Sequence, residues 1–294
     1  MQRRRFNAAT GALFLAASGA GCAHPPVAVR RSRFAAEVQR IEAAAAGRLG
    51  VCIRDTASGA DYAHRADELF PMTSTFKMLV GALVLSRVDR GLEQMARRIP
   101  VQAGDIVPYA PVTQPRVNGE PMTVAELCHA AVAISDNAAA NILLRSFGGP
   151  AALTAYARSL GDPVTRLDRL EPELNEAKPG DPRDTTSPRA MLRTMERLVL
   201  GNALAPASRE QLTAWLLDNR VGATRLRAGL PAGWRIADKT GAGANGTNND
   251  VGVLWTPAGA PVLVTAYLTG SGVDGPARDS ALTDVARLAV ELSS

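Results

Sequence analysis

Residues 74–85 read Ser-Thr-Phe-Lys-Met-Leu-Val-Gly-Ala-Leu-Val-Leu. After Lys77 the run has no polar face, so the pattern predicts a helix buried all round rather than an amphipathic surface helix. Thr73 and Ser74 are N-cap types at its start, and Gly91 is a C-cap type beyond its end. Ser74 and Lys77 stand three apart, which places them one turn apart on a shared face. A hydroxyl at a helix start sits over unpaired backbone N–H groups, where developing negative charge is favoured. An amine kept out of water beside it can lose its proton and act as a base. An ordinary buried helix start with one stray lysine would read the same way. Roughly 0.14 Ser-x-x-Lys matches arise by chance in a chain like this one, so the motif needs company.

Lysine usage supplies some. Lys and Arg total 33, yet only Lys77, Lys178 and Lys239 are lysines. Arginine stays protonated in proteins whereas lysine can be neutralised, so a lysine in an arginine-writing chain is worth following. Lys178 falls in a polar loop and limits that inference to Lys77 and Lys239.

Working outward, residues 1–23 read as a signal peptide. Arg3-Arg4-Arg5-Phe6 is a basic start, and residues 11–20 are a short apolar stretch of small residues, too short to span a bilayer. The Arg-Arg-x-Phe pattern resembles a twin-arginine export signal. Ala20-Gly21-Cys22 resembles the end of a lipoprotein box, with Gly19 in place of the usual aliphatic residue. The expectation is export to the periplasm, with soluble release and lipid anchoring at Cys22 both open. Residues 24–33, with Pro25 and Pro26, read as a linker.

From Phe34 to Ala46 the spacing is helical. Residues 50–55 and 60–64 read as a strand pair around the turn Thr56-Ala57-Ser58-Gly59. Thr123-Val124-Ala125-Glu126 is a capping box that opens a helical stretch running to Gly201. Within it, residues 168–188 are proline-rich and aperiodic, as functional loops often are. Residues 235–242, 250–255 and 261–270 read as an antiparallel meander, and residues 279–292 as a closing helix. The expected fold is therefore α/β of the α+β sandwich type. It has a five-stranded antiparallel sheet with terminal helices, plus an inserted all-helical lobe. One domain would cover 34–294, with an α/β lobe at about 34–70 and 218–294, a helical lobe at about 71–217, and the active site between them.

Composition excludes several classes. No basic run interleaved with aromatics follows the leader, so nucleic acid is not an expected partner. Cys22, Cys52 and Cys128 form no C-x-x-C pair, and His24, His64 and His129 form no ligand spacing. No metal or cofactor is expected. Cys52 and Cys128 read as small buried hydrophobes.

Three further clusters carry chemistry. Ser135-Asp136-Asn137 lies between helical patterns; the hydroxyl can pass a proton to a leaving group and the amide can hold a substrate amide. Lys239-Thr240-Gly241 lies on the first strand of the meander. It offers a cation and a hydroxyl for a carboxylate, and the glycine opens the approach. Glu171-Pro172-Glu173-Leu174-Asn175 lies in the proline-rich loop, where carboxylate and amide could hold a water between them. Together the serine- and lysine-bearing motifs have a chance expectation on the order of one in ten thousand, which overrides the bland readings of each.

On these motifs the chain resembles a class A serine β-lactamase, from about Phe34 to the C-terminus. Residues 164–175 and 181–186 resemble the family's Ω loop. The resemblance implies that Ser74 attacks the β-lactam carbonyl and that backbone N–H groups of Ser74 and Ala242 form the oxyanion hole. Acylation would use Lys77, or Glu171 through a water. Ser135 would protonate the departing nitrogen, and Glu171 with Asn175 would activate the deacylating water. Lys239, Thr240 and Gly241 would bind the substrate carboxylate, and Asn137 the side-chain amide. Arg169 and Asp184 match a clamp on the Ω loop, and Tyr109 matches an aromatic at the cleft mouth. The implied partner is a small-molecule β-lactam and the implied state a monomer.

The chain also departs from the family. Asn248 stands where many relatives carry an arginine, and Arg225 matches the place from which others supply one. Gly81 occupies the position of the usual disulfide partner of Cys128, so that bridge should be absent. Thr73 and Gly243 stand where a carbapenem-hydrolysing subgroup has a cysteine pair. A penicillin-binding D,D-peptidase or a non-hydrolytic β-lactam sensor would share the serine and lysine motifs. Glu171 with Asn175 is what separates hydrolysis from a persistent adduct.

Overall fold

The computed structural model describes residues 27–293. The expected signal peptide at 1–23, Cys22 included, lies outside them. Helix α1 (Val27–Ala45) starts seven residues ahead of the expected Phe34, so the linker reading of 24–33 is corrected over 27–33. The reason is tertiary. Arg30 is buried and its Nη1 donates to Leu292 O at 3.0 Å, and Arg33 pairs with Glu291 at 2.7 Å. The first turns are thus held by the end of the chain.

Strands β1 (Arg48–Asp55) and β2 (Ala60–His64) form the expected hairpin. A two-residue strand β3 (Phe70–Pro71) leads to a 3₁₀ turn at Thr73–Thr75 and then to α2 (Phe76–Asp89). Short strands β4 (Arg98–Ile99) and β5 (Met122–Thr123) pair with each other. Helices α3 (Val124–Ala133), α4 (Asn137–Ser146) and α5 (Gly149–Ser159) follow. A long loop carries β6 (Thr185–Thr186), which pairs with β3. Next come α6 (Pro188–Met195), α7 (Pro206–Leu217), and the strands β7 (Arg235–Gly243), β8 (Thr247–Trp255) and β9 (Pro261–Thr269), and the chain closes with α8 (Gly275–Leu292).

The five long strands form one sheet in the order β2-β1-β9-β8-β7, every neighbour antiparallel. Both faces are covered. On β9, Val262, Val264, Ala266 and Leu268 pack with α1 and α8, whereas Leu263 and Tyr267 join the core built around α2. Two covered faces make the strands read as nearly continuous apolar runs, which is why their alternation is weak in the sequence. Strand β7 is an edge.

Helix α2 is buried from Phe76 through Ser86, as its all-apolar run requires. Its end is a two-bond glycine cap: Gly91 has φ 70°, Gly91 N donates to Val88 O at 2.9 Å and Leu92 N to Arg87 O at 2.8 Å. Its start differs from expectation. Neither Thr73 nor Ser74 caps the helix with its side chain, because the 3₁₀ turn satisfies the entry through the backbone. The Ser74 hydroxyl is thereby released for other partners. Cys52 and Cys128 are free and buried. At Gly81 an added Cβ would lie 2.9 Å from Val132 Cγ2, so α3 packs too closely on α2 there for a side chain.

Candidate active site

The turn before α2 meets β7 at Gly241. A Cβ there would collide with Thr73 Oγ1 and stand 3.2 Å from Ser74 N, so only glycine lets the strand lie this close to the serine. Asn249, opposite Gly241 on β8, secures the turn by donating to Pro71 O (2.9 Å), Met72 O (3.1 Å) and Thr73 Oγ1 (2.9 Å).

Ser135 sits between α3 and α4 with φ 65°, a left-handed conformation that costs a β-carbon residue about 1–2 kcal/mol. The strain turns the side chain into the cleft. The following Asp136, not Ser135, is the N-cap of α4, accepting from Ala139 N at 2.8 Å, and it also takes Val112 N (2.9 Å) and Thr113 N (3.0 Å). Asn137 opens the helix and donates to Pro108 O at 2.7 Å.

Lys77 is fully buried and joins these pieces. Its Nζ donates to Ser74 Oγ (2.9 Å), Ser135 O (2.9 Å) and Asn137 Oδ1 (2.5 Å), and stands 2.9 Å from Glu171 Oε1. Burial lowers its pKa below that of an ordinary lysine, with the Glu171 charge opposing the shift. Ser74 Oγ also lies 3.4 Å from Glu171 Oε1. Asn175 Nδ2 donates to Glu171 Oε2, and Asn175 Oδ1 is buried with no protein partner. On the other wall, Lys239 Nζ donates to Ser135 Oγ at 3.1 Å and to Thr240 O at 3.0 Å. Burial first, and then the nearby Lys77 charge, lower its pKa to about 7.

The cleft above these groups has a volume of about 240 Å³, and its lining includes Ser74, Tyr109, Ser135, Asn137, Asn175 and Arg225. The β7 residues Thr240, Gly241 and Ala242 also line it. Lys77, Lys239 and Glu171 form the buried floor. Tyr109 has φ 64° and is half exposed at the rim. Arg225 is fixed from behind: Nε donates to Asp279 Oδ1 at 2.8 Å, and Nη1 to Gly241 O (2.7 Å) and Asn249 O (2.9 Å). Asn248, at the place of the missing arginine, donates to the same Asp279 carboxylate at 2.7 Å. Thr73 and Gly243 are neighbours, since a Cβ on Gly243 would lie 2.8 Å from Thr73 Cγ2. The loop clamp takes the form Arg169 Nε to Asp184 Oδ2 at 2.6 Å, widened by Arg169 Nη1 to Glu176 Oε2 at 2.7 Å.

Several residues at the site carry no signal in the motifs. Asn141, fully buried on α4 one turn beyond Asn137, donates to Glu171 O at 2.8 Å and accepts from Glu171 N at 2.9 Å. A polar residue inside the apolar stretch 138–144 was the trace it left in the sequence. Asp279 and Val221 were equally silent, as were Asp238 and Asp250, two buried carboxyls on β7 and β8. Burial raises the pKa of both, that of Asp250 well above an ordinary aspartate. Asn141→Ala strips both backbone groups of Glu171 of their partner, each worth about 1–3 kcal/mol when left buried and unpaired. The expected result is a lower melting temperature and faster proteolytic nicking within 168–184. Equal nicking in the variant and the parent would show that other contacts hold Glu171.

A serine, two buried lysines and a carboxylate–amide pair meet between a five-stranded sheet and a helical block, a set of groups able to hold a hydroxyl nucleophile beside a base. The β-lactamase enzyme family model matches residues 33–292, and the chain belongs to that family as a class A enzyme, a hydrolase acting on β-lactams. It is 46% identical to β-lactamase L2 of Stenotrophomonas maltophilia, with 99% of each chain covered. It is 50% identical to a β-lactamase of Streptomyces albus G, over 85% of this chain and 82% of the relative. Among solved structures, an ancestral class A β-lactamase of Gram-negative bacteria (GNCA) is 58% identical with a TM-score of 0.85, over 89% of this chain and 99% of that one. The putative class A β-lactamase PenP from Rhodopseudomonas palustris is 55% identical with a TM-score of 0.86, over 88% and 98% of the chains.

Proposed function

We propose that the chain opens the β-lactam ring of penicillins and cephalosporins through a Ser74 acyl-enzyme and so confers β-lactam resistance. The observation that carries this reading is the single floor shared by Ser74 Oγ, Lys77 Nζ and Glu171 Oε1, all within 3.4 Å of one another. Ser74 attacks the carbonyl carbon. Its proton passes to Lys77, the nearer base, whose lowered pKa suits the task. Backbone N–H groups of Ser74 and Ala242 take the developing oxyanion. Ser135, between both lysines, gives the departing nitrogen its proton. Glu171 then draws a proton from a water that Asn175 orients, the hydroxide displaces Ser74, whose oxygen takes that proton from Glu171, and Lys77 returns a proton to Ser135. The unpartnered Asn175 Oδ1 beside the carboxylate favours this hydrolytic step over the persistent adduct of a D,D-peptidase or sensor. Export to the periplasm, by way of residues 1–23, belongs to the same proposal. So does monomeric action by one domain over 34–294, with its α/β lobe (34–70, 218–294) around the helical lobe (71–217). No described helix is long and apolar enough to cross a membrane.

The test is hydrolysis of benzylpenicillin and a chromogenic cephalosporin by the purified chain. Sustained turnover supports the reading, and a single burst that leaves a stable covalent adduct overturns it.

Substrate binding makes two further expectations. Arg225 presents its guanidinium to the cleft, held by Asp279, beside Thr240 and Gly241. Arg225→Ala should raise KM for penicillins about tenfold or more, as expected for one charge-assisted hydrogen bond of about 1.5–3 kcal/mol, with kcat changed less. An unchanged KM would move the carboxylate contact elsewhere. Lys239 gives the pH dependence. Its amine carries charge below about 7 and loses it above, so attraction for an anionic substrate weakens as pH rises. The kcat/KM profile should fall on the alkaline side from near neutrality, and Lys239→Ala should remove that limb along with most of the activity. A wild-type profile that stays flat to pH 9 would sink the assignment.

A further inference from the structure

A cavity of about 560 Å³ lies apart from the catalytic cleft and shares no lining residue with it. It lies under the far leg of the Ω loop, with Ala177 through Pro182 on one side and the α1–β1 junction at Gly47 and Arg48 on the other. That volume is in the range of sites for small organic molecules. Leu69, Pro71, Pro179 and Pro182 give it apolar walls, and Leu69 is 43% exposed there.

Its polar lining is one-sided. The two carboxylates are already satisfied. Glu42 Oε1 takes Leu49 N (3.0 Å) and Arg65 Nε (2.8 Å), and its Oε2 faces His64 Nε2 (3.0 Å). Asp181 takes Arg183 N (2.9 Å) and Arg183 Nη2 (2.7 Å). The cations retain donors. Arg48 spends its two Nη groups on Glu68 and Leu69 O, leaving Nε. Arg65 spends Nε and Nη1 on Glu42 and Glu68, leaving Nη2. The Lys178 amine, 62% exposed, has Glu176 alone at 3.2 Å. What the side chains still offer a guest is hydrogen-bond donation from paired cations beside apolar surface.

We propose that this cavity is a binding site for a compact anionic amphiphile, an apolar ring-sized body bearing one carboxylate or sulfonate, and that its occupancy bears on deacylation. The second half rests on the role given above to Glu171. The loop that walls the cavity is the loop that holds the base. Asn175 O accepts from Ala244 N at 2.9 Å, and Glu176 O and Ala177 O accept from Asn245 Nδ2 at 2.9 and 3.1 Å. Ala177 turns the chain with φ 47° directly into the wall. Pressure on residues 177–182 is therefore passed within two residues to Asn175, whose amide orients Glu171.

The probe is 8-anilinonaphthalene-1-sulfonate, titrated by fluorescence into the chain and into Lys178→Glu, a surface change outside the catalytic machinery. One saturable site is expected, weakened at least tenfold in Lys178→Glu, with hydrolysis in the absence of probe unchanged. Leu69→Ala, which removes apolar wall and no charge, should weaken it as well. In the Ser74→Ala chain, saturating benzylpenicillin should not displace the probe. Equal affinity in Lys178→Glu, or displacement by penicillin, overturns the site. With the parent enzyme, saturating probe should change kcat at least twofold, and an unchanged kcat overturns the coupling. The binding arm needs no turnover, so failure of the cavity site and failure of the β-lactamase reading give different results.

Discussion

Ser74→Ala should abolish turnover of every β-lactam, by about 10⁵–10⁶-fold in kcat, as when a serine nucleophile is removed from a comparable unit. That is about 7–8 kcal/mol of transition-state stabilisation. Substrate should still bind, because Lys239, Thr240, Asn137 and Arg225 do not depend on the hydroxyl for their places. Lys239 keeps its bonds to Ser135 Oγ and Thr240 O, and Arg225 its bonds to Asp279 and the strand. Tight binding without acylation, read by calorimetry beside intact mass, is the expected pair of results. A covalent adduct on the variant would mean that another nucleophile carries the chemistry. The fold should be undisturbed, since the turn at Thr73–Thr75 is closed by backbone groups rather than by the serine side chain.

Glu171→Ala should separate the two halves of the reaction. Loss of a general base costs about 10²–10⁴-fold, and here the loss should fall on deacylation. Acylation should continue. Removing Glu171 takes away the main charge that raises the Lys77 pKa, so burial is opposed only by Asp136 and Lys77 becomes more often neutral. A neutral amine 2.9 Å from Ser74 Oγ is a competent base. Mixing with benzylpenicillin should therefore give one equivalent of acyl adduct, visible by mass and persisting for minutes or longer. If neither burst nor adduct forms, Glu171 rather than Lys77 drives the first step. Turnover equal to that of the parent would remove Glu171 from the mechanism.

Much of the candidate site was legible because its residues keep strict local spacings. Ser74 and Lys77 need one helical turn between them, and Ser135 and Asn137 need a break at a helix start. Lys239 to Gly241 need a strand whose glycine admits the serine turn, and Glu171 and Asn175 need one short turn of the loop. Each constraint acts over five residues or fewer, so it is written in consecutive letters. The all-apolar α2 and the capping box at Thr123 are equally local. The start of α1 was not legible. Residues 27–33 offer no apolar stripe of their own, and what orders them is Arg30 and Arg33 reaching residues near the other end of the chain. Asn141, Asn249 and Asp279 were silent for the same reason. Each acts by holding the backbone or guanidinium of a residue 30 or more positions away, and a hydrogen bond to a distant peptide group demands no companion letter nearby.

The amino-acid sequence by itself determined the inventory of the candidate site: which hydroxyl, amines, carboxylate and amides exist, and the short elements that carry each. The order along the chain of the five long strands, α2 and the closing helix followed from the same local patterns. Only the tertiary structure decided which base stands nearest the serine, with Lys77 Nζ at 2.9 Å and Glu171 Oε1 at 3.4 Å. It alone drove the lysine pKa values down, because desolvation comes from packing and not from neighbours in sequence. It also decided that Arg225 is braced by Asp279, and that a cavity lies behind the loop bearing Glu171. Distances and dielectric surroundings arise when remote segments meet, and no local pattern contains them.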